Sequence, residues 1–133
     1  MYDDVIFSAY KRDGTYIHIN EYFEGFGGYL INIGNNFELS NGIFTAPRNG
    51  IYEFSAAAFG YVSEDNSGIT IHHNDADVLS FWTYNFDTLS FSWIMDLQQG
   101  DIIRLRNPQG RFQCFDDYDC IFSGKILPIY REG

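Results

Sequence analysis

Apolar and polar side chains alternate along several short segments of this chain. The clearest segment is residues 89–97, where Leu, Phe, Trp, Met and Leu occupy the odd-numbered positions. The positions between them hold Ser90, Ser92, Ile94 and Asp96. A period of two places one set of side chains on each face of a strand. The pattern therefore predicts a half-buried β-strand.

Shorter runs of the same kind occur at residues 51–59, 69–73 and 102–106. Turn-forming Gly and Asn residues separate these runs, at positions 34–36, 41–42, 49–50, 66–68 and 99–101. No segment keeps a 3.6-residue period, and short strands separated by turns are typical of an antiparallel sandwich or jelly roll. We expect an all-β fold with one domain spanning residues 1–133.

The segment NGIFTAPRNGIYEF, residues 41–54, contains two Asn-Gly pairs with Pro47 between them. Asn and Gly tolerate positive φ, while Pro fixes its own φ and removes a backbone donor. This predicts a tight turn, a short strand and a second turn over residues 41–50, followed by a core strand that begins at Ile51.

Eighteen acidic and eight basic residues give a net charge of −10. Such a field repels a phosphate backbone, so nucleic acid is not an expected partner. The acidity fits either a solubility-preserving surface or a cation-binding one. No apolar stretch reaches the roughly 20 residues of a spanning helix, so we expect no membrane insertion. The start, MYDDVIFSAY, lacks the pattern of a signal peptide, and we expect a mature domain excised from a longer protein.

Residues 31–55 resemble the central signature of the complement C1q globular-head family. The matching elements are Asn, Gly and Phe, then Gly-x-Phe-x-Ala-Pro, then Gly-x-Tyr-x-Phe, in the family's order and spacing. Residues 7–9 (FSA), 97–101 (LQQGD) and 122–127 (FSGKIL) are similar to further family segments. Residues 10–30 and 60–90 match only loosely. The resemblance nevertheless extends over nearly the whole chain.

The resemblance implies a ten-stranded antiparallel jelly roll of the kind shared with tumour necrosis factor ligands. It also implies a homotrimer that is extracellular, binds ligands and catalyses nothing. In this family the loosely matching loops and the trimer apex hold much of the ligand specificity, so the resemblance predicts the fold better than the ligand.

Cys114 and Cys120 enclose the five residues FDDYD. This spacing suits a hairpin tip whose strands bring the two sulfurs within bridging distance. A disulfide is favoured over two free thiols. It would stabilise the fold by about 2 kcal/mol and would place the domain in an oxidising compartment.

Asp116, Asp117 and Asp119 supply three carboxylates within that same loop. Carboxylate oxygens are the ligands that calcium prefers, so one interpretation is a calcium site. The resemblance adds weight, since family members often bind calcium near the trimer apex. The alternative is a solvated acidic loop. Residues 64–66 (EDN) offer the same chemistry with a weaker case.

The segment FWTYNFD, residues 81–87, predicts an aromatic surface. In an extended segment Trp82, Tyr84 and Phe86 would share one side, and Thr83, Asn85 and Asp87 the other. This face could pack into the core or a trimer interface. If it is exposed, the aromatic rings would stack on a sugar and the polar groups would bind its hydroxyls. The predicted ligand-binding residues are Trp82, Tyr84, Asn85, Asp87 and Tyr118.

No Ser/His/Asp spacing, nucleophile elbow or phosphate loop occurs in the sequence. Catalysis therefore has no positive support, and the resemblance, together with the aromatic segment 81–87, implies a non-catalytic head domain that binds carbohydrate or another microbial surface pattern in innate immunity. One alternative is a signalling ligand for a protein receptor, comparable to a cytokine or a synaptic organiser. Another is a structural trimer of the extracellular matrix.

Overall fold

A computed structural model describes residues 4–62, 65–115 and 119–129. All regular secondary structure in these residues is β, and every strand pairing is antiparallel. No helix within these ranges is long and apolar enough to cross a membrane.

Twelve strands form in the described part of the chain. In order they are β1 (Ile6–Lys11), β2 (Tyr16–Ile17), β3 (Gly28–Ile33), β4 (Phe37–Glu38), β5 (Ile43–Thr45), β6 (Gly50–Gly60), β7 (Asn66–His73), β8 (Ala76–Tyr84), β9 (Thr88–Leu97), β10 (Ile102–Arg106), β11 (Phe112–Gln113) and β12 (Cys120–Ile126). The predicted strands at 51–59, 69–73, 89–97 and 102–106 correspond to β6, β7, β9 and β10.

The strands build two sheets that pack face to face. The first sheet has the order β2-β11-β6-β12-β1-β3, with β9 also paired to β6, and the second has the order β4-β5-β10-β7-β8. The prediction of an antiparallel jelly roll is confirmed. Twelve strands are found in the described chain where ten were expected, and three of them, β2, β4 and β11, are only two residues long.

Aromatic rings fill the space between the sheets. Phe7 stacks on Phe37 with 4.5 Å between ring centroids, and Phe54 stacks on Trp93 at 5.2 Å. The alternating residues of β6 and β9 supply much of this core, because their apolar sides face the second sheet. Burial of these rings is the main stabilising term of such a sandwich.

In the segment 41–50, the predicted tight turn at residues 41–42 and the short strand after it are both present. Gly42 has a φ of 68°, and Asn41 Oδ1 accepts a hydrogen bond from the backbone N–H of Ile43 at 3.0 Å. A Cβ at position 42 would overlap the backbone oxygen of Phe23, so only glycine fits this turn. The short strand β5 follows. Gly50 lies in β6 with a negative φ and takes no left-handed conformation.

The turn predicted at residues 66–68 is wrong, since β7 begins at Asn66. Gly68 lies opposite Trp82 in the β7–β8 pairing. A Cβ at position 68 would come within 2.6 Å of the indole ring. This glycine therefore makes room for a cross-strand tryptophan and does not reverse the chain.

Candidate functional site

The hairpin that joins β8 to β9 positions the predicted ligand-binding residues. The turn contains Asn85 with a φ of 54° and Phe86 with a φ of 51°. The backbone N–H of Asn85 donates to the oxygen of Asp65 at 3.1 Å, and that of Phe86 to the oxygen of Val62 at 3.0 Å. These bonds attach the hairpin tip to the β6–β7 connection.

Trp82 and Tyr84 lie on the outer face of the second sheet. Their side chains are 48% and 55% exposed. Their neighbour Phe81 points the other way and stacks on Phe91 at 4.1 Å. The two exposed rings, here called the sheet-face platform, are thus outside the core of the single chain, as the sugar-binding interpretation requires.

Phe86 does not belong to the sheet-face platform, so its predicted placement beside Trp82 and Tyr84 is wrong. The strand ends at Tyr84, and the two left-handed residues that follow break the alternation of side chains. The ring of Phe86 instead meets that of Tyr61 edge to face at 5.3 Å. Asp87 serves the turn, since its Oδ1 accepts the N–H of Thr88 at 2.8 Å.

A second surface, here called the end pocket, was not predicted from the sequence. It is a cavity of about 450 Å³ at one end of the sandwich. Its lining residues are His18, Ile19, Tyr61, Val62, Phe86, Gly110 and Arg111. The Arg111 guanidinium carbon lies 4.7 Å from the ring centroid of Tyr16 and 5.4 Å from that of Tyr61. These residues come from separate connections, so no local motif could have indicated the pocket.

A polar cluster covers the outer face of β7, β8 and β10. The guanidinium of Arg104 lies 3.4 Å from the ring centroid of Tyr22, and Tyr22 Oη lies 3.3 Å from His72 Nδ1. Arg106 Nη2 donates to Asp77 Oδ2 at 2.7 Å. Arg104 also lies 3.8 Å from Glu24, so both arginines of the cluster have an acidic partner, although Nε of Arg104 is buried without a hydrogen-bond partner among the described residues.

The two adjacent histidines of β7 have separate partners. His72 lies beside Tyr22 and Asp77, whereas His73 Nε2 is 3.1 Å from Asp101 Oδ2. Among residues 4–62, 65–115 and 119–129, no group of three or more His, Cys, Asp or Glu side chains could hold a metal ion.

The structure contains a disulfide between Cys114 and Cys120, with an S–S distance of 2.04 Å. Both cysteines are buried. Within the loop they close, Asp116, Asp117 and Tyr118 lie outside the described residues. Asp119 Oδ2 accepts a hydrogen bond from Arg12 Nη2 at 3.1 Å, while Asp119 Oδ1 is buried without a partner among the described atoms.

The carboxylate of Asp13 lies close to the same end of the molecule. Burial works against its ionisation, but hydrogen bonds from Lys11 and Thr15 outweigh burial and lower the pKa of Asp13. Lys11 Nζ is 2.8 Å from Asp13 Oδ2, and the N–H of Gly14 donates to the oxygen of Cys114. Ionised Asp13 thus neutralises a buried lysine beside the disulfide loop.

The outer face of the first sheet is rich in serine. Ser8, Ser123, Ser55 and Ser92 are register partners on four neighbouring strands, and Ser8 Oγ lies 2.7 Å from Ser123 Oγ. Apolar residues are exposed at both edges of this sheet. Leu30 of β3 is 66% exposed, and Ile94 of β9 is 59% exposed.

Curated relatives support the resemblance seen in the sequence. The chain is 28% identical over 106 residues to complement C1q tumor necrosis factor-related protein 3 of Homo sapiens, and equally identical to that of Mus musculus. Each match covers 77% of this chain and 43% of the relative. The chain therefore spans less than half the length of these relatives.

Solved structures share the fold. The globular domain of zebrafish complement 1qA has a TM-score of 0.72 at 21% identity and covers 96% of this chain and 99% of its own. An Eiger tumour necrosis factor from S. frugiperda has a TM-score of 0.79 at 11% identity, with 98% and 97% covered. Murine APRIL has a TM-score of 0.72 at 12% identity, with 93% and 99% covered. The family model described as the C1q domain matches residues 6–127, and the chain belongs to the C1q domain family.

Proposed function

We propose that this chain is a non-catalytic recognition head of a secreted protein and that it binds carbohydrate through the sheet-face platform. The observation that carries the proposal is the exposure of Trp82 and Tyr84 on one sheet face. Large aromatic rings are usually buried, and solvent-exposed aromatic rings side by side are typical of binding surfaces. Membership of the C1q domain family is consistent with a ligand-binding head.

The surroundings of the platform fit a sugar. The indole of Trp82 is supported from beneath by the backbone of Gly68. Next to it, the exposed Ser80 offers a hydroxyl group, and its Oγ lies 2.9 Å from Oγ1 of the buried Thr70. A rigid aromatic face beside small polar groups stacks on the apolar side of a sugar ring and hydrogen bonds its hydroxyls. Microbial surface glycans are the source that we propose.

The test is a glycan array probed with the wild-type chain and with Trp82→Ala and Tyr84→Ala. We expect selective glycan signals that fall at least about tenfold in both variants, since each removes a hydrophobic contact face. Ile102→Ala is the control, because Ile102 is an exposed apolar residue of β10 that belongs neither to the platform nor to the apolar edges at β3 and at β8–β9. A flat array together with capture of a cell-surface receptor would replace this function with that of a signalling ligand. A flat array without receptor capture would favour a matrix trimer.

We further propose that the chain works as a homotrimer, as C1q and tumour necrosis factor domains typically do. Two different apolar edges support this assembly: the β3 edge exposes Leu30, Ile31 and Ile33, and the β8–β9 side exposes Val78, Leu79 and Ile94. Contact between unlike patches on successive copies generates a closed ring when the rotation is suitable. Three copies would also multiply a weak single-site affinity.

We also propose a calcium site at the disulfide loop, because Oδ1 of Asp119 has no hydrogen-bond partner among the described residues and Asp116 and Asp117 are close in sequence. An ion that binds only the folded chain adds about 2.7 kcal/mol at a hundredfold excess over its Kd. The melting temperature should rise with millimolar calcium, and this rise should vanish when Asp116, Asp117 and Asp119 are changed to Asn. A melting temperature that does not change with calcium would contradict the calcium site. The loop would then be an acidic loop paired to Arg12.

A further inference from the structure

Arg111 in the end pocket has no side-chain hydrogen bond to the residues that the structure describes. Its Nε is buried without a hydrogen-bond partner within the described ranges, and its guanidinium makes no ion pair there. Arg12, Arg104 and Arg106 each have a carboxylate partner. Within the described part of this chain, whose net charge is −10, Arg111 therefore differs from these three arginines.

The rings of Tyr16 and Tyr61 hold this arginine in place. The guanidinium carbon lies within 5.4 Å of both ring centroids, close enough for cation–π attraction. Because the tyrosines already contact the guanidinium, the pocket is not a cage for a second cation. The remaining N–H groups of a guanidinium form a rigid fork that suits a carboxylate.

Phe86 forms an apolar wall of the end pocket under backbone strain. A bulky residue with a φ of 51° is an outlier, and the position suits Gly or Asn far better. Its side chain is nevertheless 46% exposed, so the strain is not explained by burial in the core. The ring meets Tyr61 on one side and leaves the rest of its surface open to a contact outside the single chain.

We propose that the end pocket binds an acidic sugar, that is, a sugar ring that carries a carboxylate. Arg111 holds the carboxylate, the ring of Phe86 packs on the apolar face of the sugar, and Ile19 adds a further apolar contact. This inference rests on the proposed carbohydrate recognition and adds to it a second site and a ligand class. The carboxylate of Glu21 does not compete, because its Oε1 accepts the backbone N–H of His18 at 2.7 Å.

The volume and openness of the pocket agree with this ligand. A cavity of about 450 Å³ has room for one sugar unit with part of its neighbour, and the ligand's remaining units would extend into solvent. The pocket and the sheet-face platform flank the same hairpin, since Tyr84 ends β8 and Phe86 lies in the turn after it. One extended glycan could therefore contact both.

The test compares two probes that differ only in the acidic group. Methyl glucuronide carries a carboxylate where methyl glucoside carries a hydroxymethyl group. Each is titrated into the isotope-labelled 133-residue chain, and binding is followed by the amide shifts of Tyr61, Phe86 and Arg111. We expect the glucuronide to bind at least about tenfold more tightly, because a hydrogen bond between charged groups is worth more than a neutral one.

Two variants and one control locate the effect. Arg111→Gln should abolish the preference for the glucuronide. Arg12→Gln is the matched control, because Arg12 also lies over a tyrosine ring, at 4.1 Å from the centroid of Tyr10, but already has Asp119 as partner. Phe86→Gly should weaken glucuronide binding several-fold while the melting temperature stays the same or rises, since glycine relieves the strained φ. This variant separates lost binding from lost folding.

Three results would overturn the inference. One is equal binding of the two sugars, and another is a preference that survives Arg111→Gln. The third is binding of cyclohexanecarboxylate as tight as that of the glucuronide, because the sugar would then contribute nothing. The proposed sugar binding by the sheet-face platform is tested separately. Unchanged glycan-array signals in Trp82→Ala would contradict it.

Discussion

At the scale of single residues, one carboxylate connects two turns. Asp101 Oδ2 accepts the backbone N–H of Gln98 at 2.9 Å, and its Oδ1 accepts a hydrogen bond from Asn74 Nδ2 at 2.9 Å. His73 Nε2 lies 3.1 Å from Oδ2. Asp101 thereby joins the β9–β10 turn to the β7–β8 turn. The hydrogen bond from Gln98 is the main cause of the lowered pKa of Asp101, followed by that from Asn74.

This lowered pKa predicts a loss of stability in acid. The folded state holds Asp101 ionised more strongly than the unfolded state, so its contribution is complete above the unfolded pKa of about 3.9. The contribution disappears as the pH falls through the lower folded pKa. Melting temperatures measured between pH 6 and pH 2.5 should fall less steeply below pH 4 in Asp101→Asn than in the wild type. Parallel curves would show that Asp101 carries no pH-dependent stability.

At Gly124 a larger side chain would clash with the core. A Cβ there would lie 2.6 Å from ring atoms of both Phe54 and Phe7. Gly124→Ala should lower the free energy of unfolding by about 1–3 kcal/mol, the usual cost of overpacking a core. Denaturant titration measures the difference. Gly27→Ala is the control, since the nearest atom to its Cβ is 3.4 Å away, and an equal loss in both variants would contradict the steric reason.

At the scale of elements, the sequence predicts the strands whose apolar and polar residues alternate. The strands at 51–59 and 89–97 were recognisable because one face is apolar throughout, and β6 and β9 pair along that length. The β8–β9 turn was not recognisable, because Asn85 and Phe86 adopt positive φ without a glycine. The end pocket was hidden for a different reason, since its residues are adjacent only after the sheets have formed.

The disulfide loop supplies a prediction at this scale. Cys114 and Cys120 are six positions apart, and closing so short a loop stabilises the fold by about 2 kcal/mol. Reduction should lower the free energy of unfolding by that amount, measured by denaturant titration with and without a phosphine reductant. The strand pairing of β12 should persist in the reduced chain. If reduction leaves the free energy of unfolding unchanged, the packing of buried side chains alone holds the loop in place.

At the scale of the whole molecule, the two apolar edges predict where copies of the chain meet. Light scattering should give a trimer at micromolar concentration, three times the 15.4 kDa chain mass. Ile94→Glu or Leu30→Glu should reduce the mass threefold, because each places a charge in an apolar contact. Ile19→Glu adds the same charge to an exposed apolar residue of the end pocket and should leave the trimer intact. A monomeric wild type would remove the assembly proposal.

The position of β12 between β1 and β6 has a consequence for how the chain folds. Ser8 pairs with Ser123, so the first strand, which also pairs with β3, finds its second partner only 115 residues later. Contacts this distant in sequence slow folding, to a range of about milliseconds to seconds for such sandwiches. During synthesis on the ribosome, the edges of β1 and β6 that face β12 stay unpaired until β12 has emerged. A chain stopped before Cys120 would keep both edges unpaired and would be prone to aggregate.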